Sequence, residues 1–264
     1  MENGYTGNLY STPEPSYYKG KNMIAVMSGR HGSGKTWLAV SLAQVLSAMK
    51  QKVLLFDGSG GINNIKKQLG LDDCPDLDKV IYQGDCLNQI ITCYNKGHFD
   101  LILSNPSSSG LATMSIGCLQ IFGDDLNIIS QEYDKVILDI DVNDNDAAHV
   151  LAGMSKSVIV VCGNSVASMT ESYQIIRDFY TRYPQTDIKV LINQADNYTE
   201  GQRTFAGLAS TCQRFLNYTP KLLGIVREDT RVRDAIRNQT TVINRYPQSE
   251  ASLDVIAVAK EILK

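Results

Sequence analysis

Seven short runs of continuously apolar residues constrain this chain most. They are MIAVMS from Met23, KVLLFD from Lys52, DLILS from Asp100, KVILDI from Lys135, SVIVVC from Ser157, IKVLIN from Ile188 and KLLGIV from Lys221. A strand with one wet face alternates apolar and polar residues. A run that is apolar almost throughout suits a strand covered on both faces. Amphipathic stretches lie between the runs, among them TWLAVSLAQVLSAM, ESYQIIRDFYTRY and SLDVIAVAKEIL. Strands alternating with helices predict βαβ units, hence an α/β fold with a mostly parallel central sheet and helices on both faces. Ligands of such sheets bind at the carboxyl ends of the strands, so the ends of these runs are where function is to be sought.

The chain has 264 residues, 43% of them apolar and 20% charged, enough for one sizeable core. No linker divides it. Residues 1–21 form a polar leader rich in Tyr, Gly, Ser and Pro and are expected to be disordered, with Tyr5, Tyr10, Tyr17 and Tyr18 as potential docking or modification points. Residues 22–264 are then the folded domain. The net charge of −3 argues against a protein that coats nucleic acid. No run of about 18 apolar residues exists to cross a membrane, and the N-terminus lacks the basic-then-apolar pattern of a secretory signal. Six scattered cysteines without a CxxC pair, and only His31, His98 and His149, argue against a disulfide framework or a structural zinc site and point to a reducing cytoplasm.

The sharpest motif is Gly29-Arg30-His31-Gly32-Ser33-Gly34-Lys35-Thr36, followed by Trp37. It fits GxxxxGK[ST], follows an apolar run and opens a helical stretch, the context a phosphate-binding loop requires. Its glycines let the backbone aim N–H groups at phosphates. Lys35 is placed to reach the β- and γ-phosphates, and the Thr36 hydroxyl to hold magnesium. Asp139, next to last in KVILDI, and Asp57, ending KVLLFD, are acids at strand tips and are expected on the magnesium side of the same site.

These residues resemble the MinD/ParA group of P-loop ATPases, of the SIMIBI class, and most closely its FlhG branch of flagellar-number regulators. The likeness runs from Asn22 to Lys264 through SGRHGSGKTWLAVSLAQVLSAMKQKVLLFDGSGGINNIKKQLGL, YDKVILDIDVNDND, SVIVVCGNSVASMTESYQIIR, VLINQADNYTEG and LLGIVREDTRVRDAIRNQ. The closing RNQ…YPQSEAS and the segment LILSNPSSSG carry the narrower match. The resemblance implies ATP or ADP with Mg2+ as ligands and an ATP-sandwiched homodimer. Arg30 stands where the group has a lysine that reaches the partner's nucleotide. Lys35, Thr36, Asp57 and Asp139 keep the phosphate and metal roles, and Asn193 matches a residue that hydrogen-bonds adenine. A partner from a flagellar or other polar assembly machine, or its transcriptional activator, is implied as well.

Several positions depart from that pattern. Ser59 replaces the aspartate that positions the attacking water, so weak hydrolysis is expected. Asn143 stands for a glycine of the γ-phosphate-sensing segment, Arg227 for a proline of the adenine-side loop, and His31 for a glycine of the phosphate loop. No basic amphipathic tail follows the last core-like helix, so membrane attachment is expected only through a partner. Asp141, two residues past Asp139, is the nearby acid that could compensate for Ser59. Arg227, Arg231, Arg233, Arg237 and Arg245 alternate with Glu228, Asp229 and Asp234, which favours self-paired surface charge over DNA binding. Two rivals remain at this level: a nucleotide-binding scaffold without turnover, and a bacterial tyrosine kinase of the same fold.

Overall fold

A computed structural model describes residues 20–29, 32–59, 64–105, 107, 111, 114–141 and 146–264. The N-terminal tyrosines, Arg30, His31 and Asn143 lie outside the described residues. The strands are β1 (Gly20–Ser28), β2 (Val53–Gly58), β3 (Thr92–Tyr94), β4 (Phe99–Ile102), β5 (Lys135–Asp141), β6 (Ser155–Gly163), β7 (Asp187–Ala195) and β8 (Lys221–Arg227). They form one sheet in the order β3-β4-β2-β5-β1-β6-β7-β8. Every neighbouring pair is parallel except β3 with β4. β1 begins at Gly20, whose N–H donates to the Met154 carbonyl, so strand structure starts two residues inside the segment read as leader.

The helices are α1 (Lys35–Ala48), α2 (Ile65–Leu69), α3 (Leu77–Gln83), α4 (Ile116–Ser130), α5 (Asp146–Gly153), α6 (Val166–Arg182), α7 (Tyr198–Leu216), α8 (Thr230–Arg237), α9 (Val242–Arg245) and α10 (Glu250–Ile262). They divide between the two sheet faces, and strand alternation explains how. Met23, Ala25 and Met27 of β1 join a core with Phe122 of α4, Leu151 of α5, Phe179 of α6 and Leu208 of α7. Ile24 and Val26, pointing the other way, join α1, α2, α8, α9 and α10 through residues such as Leu38, Ile65, Val232, Val242 and Val255. Each strand that carries one of the seven runs thus faces two cores, which is why those runs read as apolar throughout.

All seven runs lie on strands. The eighth strand, β3, carries no apolar run. Its three residues TCY hold no aliphatic side chain, and it pairs antiparallel at the sheet edge through a turn at residues 95–98 in which His98 has a φ of 56°. Helix α6 also starts five residues before ESYQIIRDFYTRY. The Ser165 hydroxyl caps it, accepting from the Ser168 N–H.

Candidate nucleotide site

The phosphate-loop segment joins the end of β1 to the start of α1 at the carboxyl edge of the sheet. Gly32 and Gly34 have φ of 83° and 84°, the left-handed region that glycine enters at no steric cost. At Gly34 space forbids a side chain as well: a Cβ there would lie 2.3 Å from Asn193 Nδ2 and 2.4 Å from Trp37 Nε1. The tip of β7 braces the loop from beneath. Asn193 Nδ2 donates to the Ser33 carbonyl at 2.7 Å, and Gln194 Nε2 donates to the Gly32 carbonyl at 3.1 Å. Gln194 does so with a φ of 59°. Nothing in the identity of Gln194 signals that backbone conformation, so its sequence position carries no mark of this role.

Three charged side chains meet under the loop. Lys35 Nζ donates to Asp139 Oδ1 at 2.8 Å, with Lys35 7% exposed and Asp139 fully buried. Asp57 and Asp139 stand directly opposite one another in the β2–β5 register. Asp57 is fully buried too. Its Oδ1 accepts from the Ser59 hydroxyl at 2.8 Å and from the Ser59 N–H at 3.1 Å, and its Oδ2 accepts from the Ile65 N–H at 3.3 Å. Ser104 fixes the same turn by donating its hydroxyl to the Ser59 carbonyl at 2.9 Å. Burial, and after it the charge of Asp139, push the Asp57 carboxyl up to about 7, against the partial relief its Ser59 bonds give.

Above this cluster opens a cleft of about 1340 Å³ whose lining includes Gly32, Ser33, Gly34, Lys35, Thr36, Trp37, Ser59, Asp141, Asn193 and Arg227. Most of the predicted site is therefore brought together in one place. Asp57 and Asp139 do not line the cleft; they lie beneath it, whereas Asp141 and Ser59 reach it. Gly29 closes the end of β1 against α6, where a Cβ would lie 2.5 Å from the Cβ of Glu171. Two lining residues carry buried polar atoms without a hydrogen-bond partner among the described residues, Ser33 Oγ and Asn193 Oδ1. Unsatisfied buried polar atoms are costly, so their presence in the cleft wall fits a ligand rich in donors and acceptors. A nucleotide with Mg2+ matches that wall: glycine-turned N–H groups at a helix start, a lysine, a threonine hydroxyl and nearby carboxylates.

Arg227 is not a solvated charge. Its Nε and Nη2 donate to Asp254 Oδ2 and Oδ1, each at 2.9 Å, its Nη1 donates to Glu250, and its guanidinium carbon lies 4.5 Å from the centre of the Tyr198 ring. The Tyr198 hydroxyl donates to Asp254 in turn. Of the other arginines in that stretch, Arg231 pairs with Asp229, Arg233 with Glu228, and Arg245 with Asp234. The expected self-pairing thus holds for these three with the expected acids, while Arg227 reaches across to α10 instead.

Comparison with known proteins agrees with this geometry. The model of the CobQ/CobB/MinD/ParA nucleotide-binding domain matches residues 24–242. The antiactivator FleN of Pseudomonas aeruginosa is 30% identical over 247 residues, covering 91% of this chain and 85% of FleN. Among solved structures, MinD of Pyrococcus horikoshii in complex with Mg-ADP superposes with a TM-score of 0.77 at 18% identity, covering 92% of this chain and 96% of that one. Pyrococcus furiosus MinD gives the same TM-score at 16% identity, covering 92% and 98%.

The raised Asp57 carboxyl has a consequence for stability. A group that binds its proton more tightly folded than unfolded stabilises the fold fully below its unfolded value, 3.8, and that contribution is lost as pH rises through about 7. Protein prepared without nucleotide or divalent cation is expected to melt at a lower temperature at about pH 8 than at about pH 5, and Asp57→Asn to flatten that dependence. An equal fall in parent and variant would place its origin elsewhere.

Proposed function

The chain belongs to the CobQ/CobB/MinD/ParA nucleotide-binding family, and we propose that within it the protein is an ATP- and Mg2+-dependent switch of the MinD/ParA type, FlhG-like, with weak turnover. The observation that carries this reading is the convergence of Lys35, Asp57 and Asp139 beneath a glycine-turned loop at the carboxyl edge of the sheet. Lys35 exchanges its Asp139 partner for the β- and γ-phosphates. Thr36 offers its hydroxyl to the metal, with Asp57 and Asp139 behind it. Magnesium, when bound, supplies charge neutralisation on the phosphates and a counter-charge for the two carboxylates. Asn193 braces the loop with its amide nitrogen and keeps its oxygen for a donor on the base.

Turnover is expected to be slow because of Ser59. Hydrolysis needs a water held in line with the γ-phosphorus, and a carboxylate both orients it and takes its proton. The Ser59 hydroxyl instead donates to Asp57 Oδ1, so its proton is committed and it has no comparable basicity. Lacking a positioned base costs ~10²–10⁴ in rate. This favours a switch read by partners over a fast enzyme. The likeness to an antiactivator supports a partner that is an activator, and the resemblance to the FlhG branch supports a transcriptional activator or a component of a flagellar or other polar machine as that partner. Arg30 is assigned to the nucleotide of the second subunit, where its planar fork can hold two phosphate oxygens.

Three measurements test this. Lys35→Ala is expected to weaken ATP binding at least tenfold, about 1.4 kcal/mol or more, by calorimetric titration; equal affinity would remove the phosphate-loop reading. With a non-hydrolysable ATP analogue the protein is expected to sediment as a dimer and Arg30→Ala as a monomer; a dimer indifferent to that change would refute the role of Arg30. Parent hydrolysis is expected to be slow, and Ser59→Asp to raise it with ATP affinity retained. Brisk turnover by the parent that survives Asp141→Asn would show that the water is activated by another group.

A further inference from the structure

The amino edge of the sheet, at the far end of the strands from the nucleotide cleft, is rich in lysine. Strands β2, β5, β6, β7 and β8 each begin within two residues of one: Lys52, Lys135, Lys156, Lys189 and Lys221. A cavity of about 180 Å³ opens there among Lys135, Lys156, Lys189 and Lys264. At ~30 Å³ per water it has room for about six waters, the scale of a phosphate or diphosphate group. Strand β1 makes space for it. Gly20 pairs with Ser155 and Ile24 with Ser157, so β1 takes four steps against two of β6 and bulges between them. A bulge of this kind breaks the ladder and re-aims side chains, and it recurs beside functional sites. Asn22, in the bulge and in the cavity wall, pins it by donating Nδ2 to the carbonyls of Ser130 at 2.6 Å and Tyr133 at 2.7 Å.

We propose that this cavity is a second anion site, separate from the nucleotide cleft, that takes a small phosphate-bearing ligand between Lys135 and Lys156. The charge balance of its wall carries the proposal. Its two acids are Asp187 and Glu261, and both are already countered. Asp187 has Lys189 at 3.3 Å and Lys221 at 3.9 Å, and Glu261 has Lys264 at 2.6 Å. Lys135 and Lys156 have no ion-pair partner among the described residues, and they start adjoining stretches of wall on either side of the β1 bulge. Two ammonium groups left without counter-charge beside one concavity repel each other until an anion joins them. Lysine suits phosphate as a point charge that needs no fixed fork geometry. A free phosphate compound and the headgroup of an anionic lipid offer the same chemistry to these lysines, and the recessed shape favours the free compound.

Calorimetric titration of pyrophosphate into the full chain tests the site. Lys35→Ala silences the nucleotide cleft, so a binding event that survives it is expected to come from the amino edge. Adding Lys135→Gln and Lys156→Gln to Lys35→Ala is expected to weaken that event at least tenfold. Arginine at both positions in place of glutamine restores the charge and is expected to restore binding, which separates a lost site from a damaged fold. Flotation with vesicles of phosphatidylglycerol and phosphatidylcholine distinguishes the source. The parent is expected to stay unbound; co-flotation that the paired Gln substitutions abolish would support the same site with a lipid headgroup as its ligand. Pyrophosphate binding that survives Lys35→Ala and is indifferent to both Gln substitutions would overturn the proposal. So would the absence of any such event together with vesicle binding that is absent or independent of Lys135 and Lys156.

Discussion

The site turns on one buried ion pair, Lys35 with Asp139, set beside a second buried carboxylate. Two carboxylates on adjacent strands cannot both be charged cheaply away from water with one ammonium beside them among the described residues. The sheet nevertheless forces them together, because Asp57 and Asp139 hold equivalent positions in a parallel register. The molecule answers locally. Asp139 takes the lysine, and Asp57 takes two hydrogen bonds from Ser59, one from Ile65 and a raised proton affinity. A divalent cation would relieve the same repulsion, which is why this arrangement suits a metal–phosphate ligand better than a purely structural role.

The fold was legible because burial on both sheet faces leaves a loud signal. Each apolar run needed no context to be read as strand, and the helices between them followed. The short β3 was silent for the opposite reason: an edge strand of three residues contributes little burial and so has no compositional mark. The site was legible in the same graded way. Gly32, Gly34, Lys35 and Thr36 are tied to phosphate chemistry by residue type and spacing, and they line the cleft. That Asp57 and Asp139 lie under the cleft instead of on its surface could not be read, because depth depends on packing above the sheet. Gln194 and Ser104 act on backbone carbonyls, a role open to many polar residues, so identity alone was uninformative.

Arg227 illustrates how a departure from a pattern is misread without its surroundings. In sequence it heads a basic stretch and has acids next to it, so local pairing is the simplest assignment. In three dimensions its partners are 23 and 27 residues away on α10. The Asp254 carboxylate that receives it is almost fully buried, so the arginine cannot leave without exposing an uncompensated charge to a low-dielectric interior. This pair joins the end of β8 to the last helix, and it sets the wall of the cleft with a rigidity that a surface pair would lack.

Ser59 and the carboxylate pair belong to one electrostatic problem. An aspartate at that position would be a third carboxyl within reach of Asp57 and Asp139, which lie 2.8 Å and 3.5 Å from the Ser59 hydroxyl. With Lys35 as the one cation paired with them among the described residues, each added negative charge raises the cost of the fold before any metal arrives. A hydroxyl removes that cost and even stabilises Asp57 by donating to it. It does so by giving up the group best suited to deprotonate water. Rapid hydrolysis and a quiet, stable resting site thus make opposing demands on residue 59, and serine meets the second. Under the proposed weak turnover, such a choice would hold a nucleotide for long periods and discharge it slowly, as a protein whose bound state is the signal would need.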